Sequence, residues 1–153
     1  MPGVLPRRLE ISTAPRDMPT MLKPIVLAII LSDTVIREQG TNKLSLIGTF
    51  NGIFSNNFPC THPSLSVYIA ITEGRGRVQC KLRMIGLDEN NIVFDLPGQI
   101  DFGGPASVGE LVFQLQQIRF PNPGVYSIEF WTGSELLASR KLNVQKVEPK
   151  PEA

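Results

Sequence analysis

The chain has 153 residues, enough for one domain with a single hydrophobic core, and its two cysteines are too few for a disulfide-stapled scaffold. Hydrophobic residues make up 42% and charged residues 19%, which argues against a wholly disordered chain. The formal net charge of +1 gives no global field that would attract nucleic acid or an anionic membrane, so we expect neither as a partner.

Residues 1–22 carry prolines among arginines and small polar residues, a composition that cannot bury enough surface to offset its ordering entropy. We predict a disordered N-terminal arm, in which Met18 and Met21 are alternative starts of translation. The apolar run Ile25–Leu31 that follows is too short to cross a bilayer. A signal peptide is the rival interpretation, but Pro24 interrupts the entry and no small-residue cleavage site follows. We therefore expect a cytoplasmic protein rather than a secreted one.

The segment KLSLIGTFNGIFSNNFP, residues 43–59, places large apolar residues beside strong turn formers. Gly48 lies within an apparent strand, where a glycine often marks a bulge or the close approach of another backbone. The pattern predicts a strand that runs into a corner rather than a catalytic loop. Because both faces of this segment and of Ile25–Leu31 are apolar, we predict that they lie in the middle of a sheet.

The remainder of residues 23–147 shows apolar residues at every second position, the period of a β-strand. EGRGR is interpreted as a hairpin turn between SLSVYIAIT and RVQCKLRM, and further turn signals separate the other segments. The residues predicted to face inward are Leu65, Val67, Ile69, Ile71, Val78, Cys80, Leu82, Met84, Leu111, Phe113, Leu115, Tyr126, Ile128, Phe130, Leu136, Ala138, Leu142 and Val144. This pattern is typical of an all-β antiparallel sandwich or barrel, with little or no helix. Residues 148–153 are predicted to be a disordered tail.

The proline-glycine turn PNPG is followed by Tyr126, two residues after Gly124, and then by two further strands. This arrangement resembles the corner of immunoglobulin-like sandwiches, where a tyrosine hydroxyl bonds to upstream backbone. The resemblance implies an immunoglobulin-like sandwich of about eight or nine strands. The paired cysteines and the buried tryptophan of antibody domains are missing, and Trp131 has the outward parity next to a turn.

A second resemblance covers roughly residues 24–145 and joins three motifs. The matching residues are Lys43 to Gly48, Phe50, Ile53, Phe58, Pro59, His62, Pro63, Leu65, Val67, Tyr68, Gly124, Tyr126 and Phe130. In these motifs the chain resembles a family of small bacterial proteins known only as a domain of unknown function. The resemblance implies a bacterial origin and a single β domain, but no activity.

The sequence contains few residues that could form a catalytic or metal-binding site. His62 and Cys60 form the motif CTH, and with Cys80 they offer three metal ligands at most. Cys80 lies on an apolar face, where a reduced cysteine behaves as a small hydrophobe, and a Cys60–Cys80 disulfide is disfavoured by the expected compartment. The carboxylates look like scattered surface charges, and DFGGPASVG lacks the lysine of a phosphate loop. We assign no catalytic residue, no metal ligand and no cofactor.

One surface feature remains, a basic stripe formed by Arg77, Lys81 and Arg83 on the outward face of one strand, with Arg75 in the adjoining turn. Tyr68 on a neighbouring strand would add a stacking surface. Such a stripe is either a solvated face, which can also protect an edge strand from pairing with another chain, or a patch that binds phosphates or an acidic partner. We therefore predict a non-catalytic module for protein interaction or ligand binding. The alternatives are a polyanion binder using the stripe and a small hydrolase-type enzyme using His62 and Cys60. Self-association through sheet edges is also open.

Overall fold

The computed structural model describes residues 23–148, in which nine β-strands and no helix are formed. The strands are β1 (Ile25–Arg37), β2 (Leu44–Thr49), β3 (Gly52–Ser55), β4 (Cys60–Thr72), β5 (Gly76–Gly86), β6 (Ile92–Phe102), β7 (Val108–Phe120), β8 (Gly124–Thr132) and β9 (Glu135–Lys146). No helix capable of crossing a bilayer is found in this part of the chain. The predicted N-terminal arm, and the predicted tail beyond Glu148, lie outside the described residues.

The strands form two sheets that share one core. Sheet A has four strands in the order β2-β1-β4-β7, and sheet B has five in the order β3-β9-β8-β5-β6. All pairings are antiparallel except that of β3 with β9, which is parallel. Side chains from both sheets pack into a single hydrophobic cluster. The all-β sandwich is therefore confirmed, whereas its immunoglobulin-like character stays a prediction.

Apolar residues at alternate positions of β4 and β5 enter the core from opposite sheets. Leu65, Val67 and Ile69 of β4 are fully buried, as are Leu82 and Met84 of β5. In a strand, successive side chains point to opposite faces. Once one face is buried, the face on which each residue of the strand lies is therefore fixed. The inward positions predicted for these two strands are confirmed.

Gly48, the penultimate residue of β2, has a backbone conformation that only glycine adopts easily. Its φ is +73°, and a Cβ atom there would lie 2.5 Å from Oδ2 of Asp33. The bulge or close backbone approach predicted for this glycine is wrong, because the register of β1 with β2 is unbroken and the atoms beside Gly48 belong to the Asp33 side chain. The prediction that the segment lies in the middle of a sheet is correct for β1 and wrong for β2 and β3, which are edge strands. The chain leaves sheet A after β2 and joins sheet B at β3. The apolar residues of the segment 43–59 therefore lie in two different sheets and do not cover both faces of one sheet.

The connection between β4 and β5 is also not the hairpin that EGRGR predicts. β4 pairs with β1 and β7, whereas β5 pairs with β6 and β8, so the connection crosses from sheet A to sheet B. Gly74 lies in this crossing against the ring of Phe102, and a Cβ atom there would lie 2.2 Å from Cε2 of that ring. Gly74 thus permits close packing where the chain changes sheets, and the hairpin prediction is wrong.

Two polar side chains at inward positions have partners. The hydroxyl of Tyr126 donates to the carbonyl oxygen of Asn122 at 2.5 Å, as the corner resemblance implies, and its ring packs edge-on against Phe120. Arg140 of β9 donates from Nη1 to the carbonyl oxygen of Ile29 in β1 at 2.5 Å, and from Nη2 to Oδ1 of Asn51. Because β1 and β9 belong to different sheets, the Arg140 side chain joins the two layers.

Candidate interaction surface

The basic stripe lies on the outer face of sheet B, but not at an edge. β5 is flanked by β6 and β8, so Arg77, Lys81 and Arg83 stand on an interior strand of the sheet. Arg75 lies exposed in the loop before β5. The interpretation that these cations protect an edge strand is therefore wrong, because β5 has no free edge.

Tyr68 does not join the stripe. It lies on β4 in sheet A, where its hydroxyl donates to Oε2 of Glu110 on β7. The prediction that it stands on a strand next to the stripe is wrong because β4 and β5 belong to different sheets. The candidate surface therefore loses its predicted stacking residue.

The titration of the two tyrosines gives a test of this arrangement. Burial and the hydrogen bond to Glu110 raise the pKa of Tyr68 to about 12, and burial raises the pKa of Tyr126 above its usual 10.0. The folded state holds both hydroxyl protons more tightly than the unfolded chain does. The protonated tyrosines therefore contribute fully to the stability of the folded state below pH 10, and this contribution is lost as the pH rises through the folded pKa values. The chain has two tyrosines, so native tyrosinate absorbance is expected to rise at higher pH than in the unfolded chain. A native tyrosine that titrates near its usual pKa would contradict the packing.

The outward residues of β5 and β6 form a ladder of matched pairs. Nε of Arg77 lies 3.0 Å from Oδ1 of Asp101, and the Gln79 amide donates to the Gln99 side chain at 2.9 Å. Farther along, Nη2 of Arg83 lies 3.1 Å from Oδ2 of its β6 partner, which is Asp95. Of the carboxylates interpreted as scattered surface charges, Asp95 and Asp101 are thus specific partners of the stripe.

Trp131 of β8 stands in the middle of this face. It lies directly opposite Lys81, whose Nζ is 5.6 Å from the centre of the indole ring, and Cζ of Arg83 is 5.8 Å from the same centre. Both cations are within the range of a cation–π interaction. The indole N–H donates to Oε1 of Glu129 at 3.0 Å. The outward parity of Trp131 is confirmed, but only the pairing of β5 with β8 brings it to the basic stripe.

Leu136 of β9 extends the face, against the prediction that it points inward. A register shift after Phe130 places Leu136 opposite Trp131, while Leu137 packs against the core instead. Leu136 is consequently 44% exposed. A bulge adds one residue to a strand, so each residue beyond it points to the opposite face of the sheet from the one that simple alternation predicts. The alternation of apolar and polar residues in the sequence does not show where such a bulge lies. The inward prediction for Leu136 is wrong for this reason.

Together these side chains define one surface, which we call the tryptophan face. It consists of Lys81, Arg83, Trp131 and Leu136, with the carboxylates of Asp95 and Glu129 beside them. It combines an indole, an aliphatic side chain and paired charges on a rigid sheet. Both carboxylates have partners on this face, Asp95 with Arg83 and Glu129 with the indole N–H.

A family described as "Family of unknown function (DUF6941)" matches residues 27–145. The chain belongs to DUF6941. The match confirms the resemblance to a domain of unknown function, and it extends through all nine described strands. A comparison with curated proteins finds no match.

Among solved structures, this DUF6941 protein is similar to a beta-glucuronidase from Bifidobacterium dentium complexed with coumarin-3-O-glucuronide, at 15% identity and a TM-score of 0.40. That similarity covers 82% of this chain and 18% of the other. It is also similar to the alkylpurine DNA glycosylase AlkC of Pseudomonas fluorescens bound to DNA containing an abasic site analog, at 7% identity and a TM-score of 0.43. Here 80% of this chain and 30% of the other are covered. The chain thus spans less than a third of either protein, and similarities this weak carry no argument about function.

Of the other candidate residues of the DUF6941 domain, Cys80 is buried, whereas Cys60 and His62 are only partly buried. His62 packs beside Phe50 with ring centres 5.4 Å apart, and its Nε2 is buried without a hydrogen-bond partner among residues 23–148. Cys60 and Cys80 are free thiols in different sheets. Burial raises the pKa of the Cys80 thiol to about 11, which disfavours the reactive thiolate near neutral pH. Within the described ranges, no three histidine, cysteine or acidic side chains are grouped to hold a metal ion.

Proposed function

We propose that this DUF6941 protein is a non-catalytic protein-interaction module that binds its partner through the tryptophan face. The observation that carries the proposal is the position of Trp131, a partly exposed indole on an interior strand of sheet B, with Lys81 and Arg83 against its ring. Tryptophan and arginine are the residue types that contribute most to protein–protein binding energy, usually near the centre of an interface.

Preorganisation supports the same proposal. The indole N–H bonds to Glu129, and Arg83 is held by Asp95, so neither side chain must be ordered from a mobile state when a partner arrives. Each rotamer-rich side chain that has to be immobilised on binding costs about 0.5–1.5 kcal/mol. A face that is already fixed in the free protein avoids much of this cost. Leu136 adds exposed apolar area beside the indole.

The polyanion alternative is weaker on this surface, because Asp95, Asp101 and Glu129 stand among the cations and repel phosphates. A hydrolase-type enzyme built on His62 and Cys60 gains no support from the position of either residue. Interaction with another protein is therefore the function that the geometry favours.

Replacement of Trp131 by alanine tests the proposal. We expect proteins captured from the native cell extract by the purified full chain to be lost with Trp131→Ala. They should be retained with Phe54→Ala, which removes another exposed aromatic side chain, at an edge strand of the same sheet. Thermal denaturation of each variant confirms that it is folded. Retention of the captured proteins by folded Trp131→Ala would refute binding through this face.

A further inference from the structure

The ladder between β5 and β6 has one position without a matched partner. Arg77 faces Asp101, Gln79 faces Gln99 and Arg83 faces Asp95, but Lys81 faces Pro97. Proline offers neither a charge nor a side-chain hydrogen-bonding group, so this cation has no cross-strand counter-ion. Among residues 23–148, the ion pairs do not include Lys81.

The unmatched position coincides with the centre of the tryptophan face. Pro97, Lys81, Trp131 and Leu136 follow one another across β6, β5, β8 and β9. Apolar groups therefore flank the lysine on both sides, and its ammonium lies against the indole rather than against a carboxylate. A cation beside an aromatic ring and partly removed from water interacts more strongly with an arriving anion than a fully solvated one.

From this arrangement we infer that the partner is a protein segment that places a carboxylate on Lys81 and an apolar side chain against Trp131 and Leu136. The inference rests on the proposed function and adds the chemistry of the partner. Charge complementarity carries it, because Lys81 is a cation whose neighbours on the ladder are already paired. The apolar pair Trp131 and Leu136 then favours a hydrophobic residue next to the acidic one.

A nucleic acid fits this surface less well than an acidic protein segment. Phosphates recur along the whole backbone and need several free cations, whereas Arg77 and Arg83 are bound to carboxylates that repel phosphate. A single carboxylate needs only one cation. The neutralised neighbours thus select an isolated acidic group over a continuous anionic chain.

A random-peptide display library selected against the full chain tests the inference without a known partner. Peptides that bind the tryptophan face are expected to be enriched in aspartate or glutamate beside an apolar residue. Trp131 is the one tryptophan in the chain, so its fluorescence reports directly on this face. Selected peptides free of tryptophan should change its emission saturably, and Lys81→Gln should weaken their binding by about tenfold or more. Arg77→Gln removes a paired cation from the same strand face and should leave the affinity within about twofold.

The outcomes separate this inference from the proposed function. If peptides bind the tryptophan face but contain no acidic residue, or bind equally well to Lys81→Gln, the acidic partner is refuted while the interaction surface stands. If no selected peptide depends on Trp131, the interaction surface itself is refuted. Heparin and single-stranded DNA are titrated in the same way. If either changes the Trp131 emission at lower concentrations than any selected peptide, and its binding weakens steeply as salt rises, the partner is a polyanion and the inference fails.

Discussion

Replacing Phe130 by alanine is expected to lower the free energy of unfolding by about 3–5 kcal/mol, the usual range for a buried phenylalanine. Phe130 is fully buried and lies opposite Leu82, which is buried as well. The replacement removes an aromatic ring from the middle of sheet B and leaves a cavity that the surrounding strands cannot fill. Urea or guanidinium denaturation of the variant measures the loss.

Trp131→Ala is the matched control, because it removes a larger side chain at the next position of the same strand. Trp131 faces outward and is only partly buried, so we expect its replacement to cost less than half as much as Phe130→Ala. Equal losses at the two positions would contradict the assignment of one ring to the core and the other to the outer face of sheet B. The pair also shows whether a binding defect in Trp131→Ala is separate from a folding defect.

Arg140→Met is expected to destabilise the protein by about 2 kcal/mol, because it removes charged hydrogen bonds while keeping much of the aliphatic stem. Arg140 has the inward parity of its buried neighbour Leu142, yet it finds acceptors in Ile29 and Asn51. Its loss leaves the Ile29 carbonyl without this donor where the layers meet. Chemical denaturation measures the change, and amide exchange near Ile29 should accelerate as the layers loosen.

Arg140→Lys provides the control for charge. An ammonium group keeps the positive charge but cannot reach two acceptors with the planar geometry of guanidinium, so we expect it to recover only a small part of the lost stability. Full recovery by lysine would show that charge alone matters at this position. A neutral effect of Arg140→Met would contradict the bridge between the sheets.

The all-β fold could be predicted from the sequence because one face of each main strand is buried. In β4 and β5 that condition makes apolar residues recur with period two, and Leu65 or Leu82 can be placed in the core from the pattern alone. The corner at Tyr126 could be predicted for a similar reason, since a buried hydroxyl needs a partner nearby. These features depend on residues that are close in sequence.

Sheet membership and register could not be predicted in this way. EGRGR has the residues of a hairpin turn, but the contacts that place β4 and β5 in different sheets come from distant strands. The bulge that exposes Leu136 leaves no local trace either. Each error follows from a non-local pairing that overrides a local preference.

In the candidate site, too, some features follow from the local sequence and others from the pairing of distant strands. The outward orientation of Arg77, Lys81 and Arg83 follows from alternation and was predictable. Which of these cations is neutralised depends on the register of β5 with β6, and the position of Trp131 beside Lys81 depends on the register with β8. The sequence alone therefore indicates a basic face, but not that Lys81 is the cation that faces Pro97 instead of a carboxylate.

The parallel pairing of β3 with β9 has a consequence for biosynthesis. Gly52 pairs with Asn143 and Ser55 with Lys146, so an early segment of the polypeptide must await residues that are translated much later. While the nascent chain is still leaving the ribosome, β3 has no template to join, and its exposed aromatic Phe54 adds to the risk of premature association. The five-stranded layer therefore cannot be completed until β9 has been synthesised, although β3 is among the first strands to be made.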